Sequence, residues 1–240
     1  MSEQQIAGKT FVLVHGAWHG GWCWRRVADR LTAEGCKAFA PTLTGLGERS
    51  HLLDADTSLA THVADIINVI RWEGLADIVL VGHSYGGFVV TGVAERIPSS
   101  ISALVFLDAF VPDDGQSMAD LTSQRVRDMI AEAERRGESA VAPFPAALFH
   151  VNENDRAWVD ALCTPQPRAS MTEKLAVTGA RERIAKKTYI RAKAYPSLAF
   201  DCCQSALAEA PGWRVRELPC GHDAMIDMPA EVTELLLAAA

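Results

Sequence analysis

The sequence predicts an α/β protein, a mostly parallel sheet of about six strands with helices on both faces. Two observations carry this. Short runs rich in β-branched residues alternate along the chain with segments of helical period. The runs are apolar at consecutive positions, the pattern of strands covered on both faces, as in parallel sheets. A third observation completes the outline: one long stretch without strand character interrupts the alternation.

TFVLVHG (10–16) is the first predicted strand. GWCWRRVADRLTAEG (21–35) follows as a helix, with Trp24, Val27 and Leu31 at helical spacing and Gly35 as its stop. CKAFAP (36–41) is a short strand ended by Pro41. Residues 57–74 open on Thr57-Ser58, carry Leu59, Val63, Ile66, Ile67 and Ile70 on one stripe, and finish at Gly74. DIVLVGHS (77–84) is a strand, FVVTGVAERIP (88–98) a helix stopped before Pro98, and ISALVFLDA (101–109) the next strand. KKTYIRA (186–192) and WRVRELP (213–219) complete the sheet, and a last helix opens at Pro229.

Residues 113–185 form the interruption. SQRVRDMIAEAERRGE (123–138) has a stripe of Val126, Met129, Ile130 and Ala133 with Gly137 as a stop, and SMTE (170–173) resembles a capping box. No strand is predicted there. A helical insertion between two strands of a parallel sheet reads as a cap over the carboxyl ends of the strands, where open α/β sheets bind ligands. The bland alternative is an appendage packed elsewhere. The expected division is a core of residues 1–112 and 186–240 with a helical cap at 113–185.

The 240 residues are 49% apolar and 22% charged, ordinary for a soluble globular protein. The formal charge of −7 argues against nucleic acid and against anionic membranes as partners. Six cysteines form no C-x-x-C pattern, and two are adjacent, which suggests neither a metal site nor a disulfide framework. MSEQQIAGKT (1–10) lacks the apolar core of a signal peptide, and no apolar run approaches the ~20 residues of a membrane span. A cytoplasmic protein is expected. The oligomeric state stays open, a homodimer being one arrangement.

GHSYG (82–86) directly follows the apolar run IVLV. Glycines two before and two after a serine suit a turn so tight that side chains there would collide, holding the hydroxyl out at the end of the sheet. Chance alone produces such a pattern in roughly one chain in ten of this length, so the surroundings decide. A serine nucleophile needs a base, a group that orients the base, and donors for the oxyanion. Of seven histidines, His222 in CGHDAM (220–225) sits between the last strand and the last helix, at the same sheet edge as Ser84. His83 lies in the turn and is expected to point away; His15 ends the first strand, His62 lies on a helix stripe, and His19, His51 and His150 fall in loops. HGAWHGGW (15–22) follows the first strand, and its glycines permit close backbone approach. The amides of Ala17 and Tyr85 are the candidate oxyanion donors, the second also lying at a helix N-terminus.

FVLVHGAWHGGWCW (11–24), GHSYGG (82–87) and GHDAM (221–225) resemble the α/β-hydrolase superfamily, in particular the branch that holds plant methylesterases, hydroxynitrile lyases and bacterial esterases. The resemblance spans most of the chain and fades through the insertion. It implies the α/β-hydrolase fold, Ser84 as nucleophile, His222 as base, and the Ala17 and Tyr85 amides as oxyanion donors. The orienting acid departs from the pattern. The plant proteins carry an aspartate just after the strand matching TYIRA, whereas here KAYPSLAFD (193–201) has Tyr195 at that place and Asp201 six residues late. Asp108, closing SALVFLD (102–108), is the favoured acid, because a carboxylate ending an apolar strand calls for a partner. Asp201 is the alternative, and a turn-capping role is the bland reading of Asp108. The lyases that the chain resembles place a lysine after the histidine and a threonine in the first loop. Here those positions hold Asp223 and Gly16, so a leaving cyanide would meet a carboxylate and a lyase is disfavoured.

The expected activity is a cofactor-free, metal-free serine hydrolase of small, largely apolar carboxylic esters, whose turnover falls in acid as an ordinary imidazole protonates near ~6.5. Hydrolysis of a lactone or an amide is the alternative within enzymes. A small-molecule binding protein on the same fold is the alternative from another class. Phe144, Phe149, Trp158 and Met171 are the candidates for lining an apolar pocket, Trp158 first.

Overall fold

The computed structural model describes residues 8–240; most of the polar amino-terminal stretch, MSEQQIA, lies outside the described residues. The strands are β1 (Thr10–Val14), β2 (Lys37–Phe39), β3 (Ile78–His83), β4 (Ile101–Leu107), β5 (Ala140–Val141), β6 (Gln166–Pro167), β7 (Lys186–Ala192) and β8 (Trp213–Leu218). The helices are α1 (Arg25–Ala33), α2 (Leu59–Trp72), α3 (Gly86–Arg96), α4 (Met118–Leu121), α5 (Gln124–Arg135), α6 (Glu153–Leu162), α7 (Arg168–Thr172), α8 (Leu198–Ala208), α9 (Ala224–Asp227) and α10 (Pro229–Ala239).

Six strands form one sheet in the order β2-β1-β3-β4-β7-β8, and every pairing in it is parallel. All six residues of β3 are buried. Successive strand side chains point to opposite faces, so both faces are covered there, which is why the run is apolar without alternation. Helix α1 packs against α10, and α2 against α3. The segment expected as one helix over 21–35 is a 3₁₀ turn, Gly21–Trp24, leading into α1. Helix α3 starts at Gly86, two residues earlier than its apolar pattern, because it springs straight from the turn that contains Ser84.

The insertion departs from expectation in two ways. It contains the antiparallel pair β5–β6, with Ala140 opposite Pro167 and Val141 opposite Gln166. Two-residue strands are too short to leave a period-two signature. The capping box proposed for SMTE is absent: α7 ends at Thr172, where that helix should begin. The Ser170 hydroxyl instead donates to the Pro167 carbonyl at 2.7 Å and accepts from Gln166 Nε2 at 2.7 Å, tying α7 to β6.

Parallel strands bring the residues after β1, β3, β4 and β8 to one edge of the sheet. That edge holds the loop of Ala17, the turn of Ser84, Asp108, and the loop of His222.

Candidate active site

Between β3 and α3 the chain reverses at Ser84, whose φ of +51° is left-handed. Non-glycine residues rarely adopt that region, and here the surroundings hold it. The Ser84 amide donates to Leu107 O at 3.3 Å, and the Ser84 carbonyl accepts from Gly87 N at 3.0 Å and Phe110 N at 3.2 Å. Crowding explains the flanking glycines. A Cβ on Gly82 would lie 2.7 Å from Gly86 O, and one on Gly87 would lie 1.9 Å from Phe110 O. Gly87→Ala is therefore expected to cost about 3 kcal/mol, a fall in Tm of ~6–12 °C. Calorimetry of the variant checks this, and an unchanged melt would refute the crowding argument.

His222 hangs in the loop between β8 and α9, its amide donating to Phe149 O at 2.8 Å. Its Nδ1 lies 2.6 Å from Asp108 Oδ2. Asp108 is fully buried and its φ is +43°. Its other oxygen, Oδ1, accepts from Ala192 N at 3.0 Å and Arg191 Nη1 at 2.7 Å. Asp201 does not reach the imidazole: it pairs with Arg191 Nε at 3.0 Å and is half-exposed. Tyr195 occupies the neighbourhood where an acid was awaited, and stacks on His222 with ring centres 4.6 Å apart. Phe200 stacks on the same imidazole at 5.4 Å. Sequence reasoning missed Arg191. Its signal was available, since YIRA (189–192) places an arginine between apolar strand residues.

The loop after β1 lies against the turn, a Cβ on Gly16 falling 2.9 Å from Ser84 Cβ. The amides of Ala17 and Tyr85 have no hydrogen-bond partner among the described residues. Trp18, at φ +67°, ties this loop to the insertion through its amide to Gln166 Oε1 at 2.9 Å and its Nε1 to Val141 O at 3.0 Å. Two buried histidines brace the same region. His15 donates from Nδ1 to Gly16 O and accepts at Nε2 from Leu43 N, while His62 donates from Nε2 to Thr44 O and accepts at Nδ1 from Tyr85 Oη. A backbone N–H facing Nε2 requires a neutral His15, and burial keeps His62 neutral. Burial lowers His15 to about 3 and His62 to about 4.

Both histidines take up a proton when the chain unfolds in acid, so the unfolded state binds more protons below ~6.5 and stability falls as pH falls. For His62 alone the loss between pH 6.5 and 4 is roughly 3 kcal/mol. Tm measured from pH 7 to 4.5 is expected to drop, and to drop less in His62→Gln. A flat profile would contradict the neutral assignment.

Ser84 and His222 open on one cavity of about 260 Å³, which is also lined by Phe144 and Phe149. Trp158 and Met171 do not line it. Trp158, on α6, packs edge-on to Trp22 at 5.1 Å and beneath the Arg26 guanidinium, and Met171 is buried in the core. An aromatic residue in an insertion says nothing about the direction in which its helix faces. The walls come instead from Trp18, Phe110, Tyr195 and Phe200, together with the cationic Arg125. Asp223 is a further correction. It does not face the cavity, where a leaving group would meet it, but lies fully buried against His19. His83 does stay out of the cavity, yet it is not idle: its Nε2 donates to the His222 carbonyl at 3.0 Å. Among the described residues no His, Cys, Asp and Glu cluster could hold a metal ion.

A six-stranded parallel sheet with a serine turn, a histidine loop and an acid at one edge defines the α/β-hydrolase class. The chain belongs to the Alpha/beta hydrolase family, whose model matches residues 11–235. It is 41% identical over 237 residues to a carbendazim hydrolyzing esterase of Nocardioides sp. (strain SG-4G), covering 95% of this chain and 98% of that relative. It is 27% identical to Esterase PIR7B of Oryza sativa subsp. japonica, covering 99% of this chain and 97% of the relative. Among solved structures, an extracellular alpha/beta-hydrolase from a Paenibacillus species aligns with a TM-score of 0.84 at 25% identity, over 97% of this chain and 99% of that one. No helix among the described residues is long and apolar enough to cross a membrane.

Proposed function

We propose that the protein is a serine hydrolase acting on small, largely apolar carboxylic esters through an acyl-enzyme. The observation that carries this is the 2.6 Å contact of His222 Nδ1 with Asp108 Oδ2, on an imidazole that shares one cavity with Ser84. Neutral His222, held in the Nδ1–H tautomer by Asp108, takes the Ser84 proton at Nε2 as Oγ attacks the ester carbonyl. The tetrahedral oxyanion is received by the free amides of Ala17 and Tyr85. Collapse expels the alcohol, which leaves with the proton from His222. A water deprotonated by the same imidazole then attacks the acyl carbon and releases the carboxylic acid.

Residues 113–185 act as the cap, supported by Phe144 and Phe149 in the cavity wall. The relative named for carbendazim hydrolysis puts that compound beside p-nitrophenyl esters of graded acyl length in the substrate panel. A cytoplasmic location is the reading that the cysteine pattern supports.

Titration with a fluorophosphonate tests the proposal. One equivalent on Ser84 with matching loss of esterase activity is expected. A protein that binds esters without turnover and resists the reagent would be a binding protein on this fold.

A further inference from the structure

The loop HGAWHGG and the loop GHDAM reach the site from opposite ends of the chain, and a buried contact joins them. His19 is 1% exposed and Asp223 not at all. His19 Nε2 lies 3.1 Å from Asp223 Oδ2, and His19 Nδ1 lies 2.8 Å from the carbonyl oxygen of Ala17. A carboxylate and a carbonyl only accept, so both ring nitrogens must donate, and an imidazole protonated twice is a cation. We infer that His19 and Asp223 form a buried imidazolium–carboxylate clasp that holds the Ala17 amide and the His222 imidazole in register.

The surroundings agree. Cys163 Sγ approaches His19 Nε2 at 3.9 Å, the His83 ring stands edge-on at 6.2 Å, and the neighbouring Cys23 thiol is raised by burial. Burial opposes charge on His19, but the Asp223 carboxylate, with Cys163 next, holds its proton affinity well above the usual range. Burial likewise opposes the Asp223 anion, yet His19 holds it down at about 2. His83 is pushed the other way, first by burial and then by His222, so it stays neutral. Its single ring proton serves the His222 carbonyl.

The second Asp223 oxygen is buried without a hydrogen bond among the described residues, 3.8 Å from His83 Nε2. Such a pair is a poor device for stability, since apolar residues of equal volume avoid the desolvation penalty. Its use is geometric. His19 sits two residues from the oxyanion amide and Asp223 one residue from the base, so the contact fixes the distance between two groups that must act on the same carbonyl. Neither side chain lines the cavity, which makes them positioning residues.

The inference rests on the serine-hydrolase reading, and one arm of its test does not. In the wild-type protein at pH 8, side-chain ¹⁵N spectra are expected to show both His19 nitrogens protonated, where a free imidazole, with a pKa near ~6.5, is neutral. A neutral, single-tautomer His19 at that pH overturns the clasp whatever the variants do. In the second arm, Asp223→Asn and His19→Gln are compared with wild type per fluorophosphonate-titrated site. We expect kcat to fall about 10–100-fold with KM within about threefold. The alkaline limb of the Asp223→Asn profile should move to lower pH, as His19 loses its proton earlier. Variants within twofold of wild type, with unchanged pH profiles and only a lower Tm, would reduce the pair to a structural role. Failure of Ser84 to react at all sinks the hydrolase reading and leaves the spectra of His19 standing.

Discussion

Ser84→Ala is expected to lower kcat by about a million-fold while leaving the fold intact. In the proposed mechanism this hydroxyl forms the acyl-enzyme, on the cavity it shares with His222, and alanine fits the turn, where Ser84 is held by its backbone amide and carbonyl. The strain at φ +51° is the same for both residues. Steady-state hydrolysis of p-nitrophenyl acetate, with circular dichroism as the control, reads the result. Activity above about a hundredth of wild type in a folded variant would remove Ser84 from the chemistry. In that case a water activated directly by His222 would be the alternative to examine.

Asp108→Asn is expected to lower kcat by about 10⁴-fold. The reason is specific to this site. Arg191 Nη1 and Ala192 N both donate to Oδ1, so an asparagine must turn its carbonyl oxygen toward them. Its amide NH₂ then faces His222 Nδ1 and forces that nitrogen to accept. The imidazole proton moves to Nε2, where it blocks removal of the Ser84 proton. Asp201→Asn, which alters a half-exposed partner of Arg191 and Lys193, is expected to change kcat by no more than a few-fold. The reverse pattern would move the acid to Asp201 on α8 and break the assignment.

The parts of this site differed in how much the chain revealed of them. The six strands, the turn at Ser84 and the loop of His222 were readable because each depends on local chemistry. Apolar runs make covered strands, and residues that crowd a backbone must be glycine. The pair β5–β6 was not readable, since two residues carry no period. Nor was the direction of Trp158, because α6 presents several faces and only packing chooses among them. Arg191 stood in plain view, but its buried partner Asp108 is 83 residues away in the chain.

From the sequence alone came the α/β class, the order of the elements and the candidates Ser84, His222, Asp108, Ala17 and Tyr85. These are properties of short segments and of strand order in a parallel sheet. Only the tertiary structure decided that Asp108 and not Asp201 meets His222, that Trp158 leaves the cavity to Phe144 and Phe149, and that His19 closes on Asp223. Each of these is a contact of about 3–5 Å between residues far apart in the chain, and hydrogen bonds and stacking at that range depend on how the backbone is brought together.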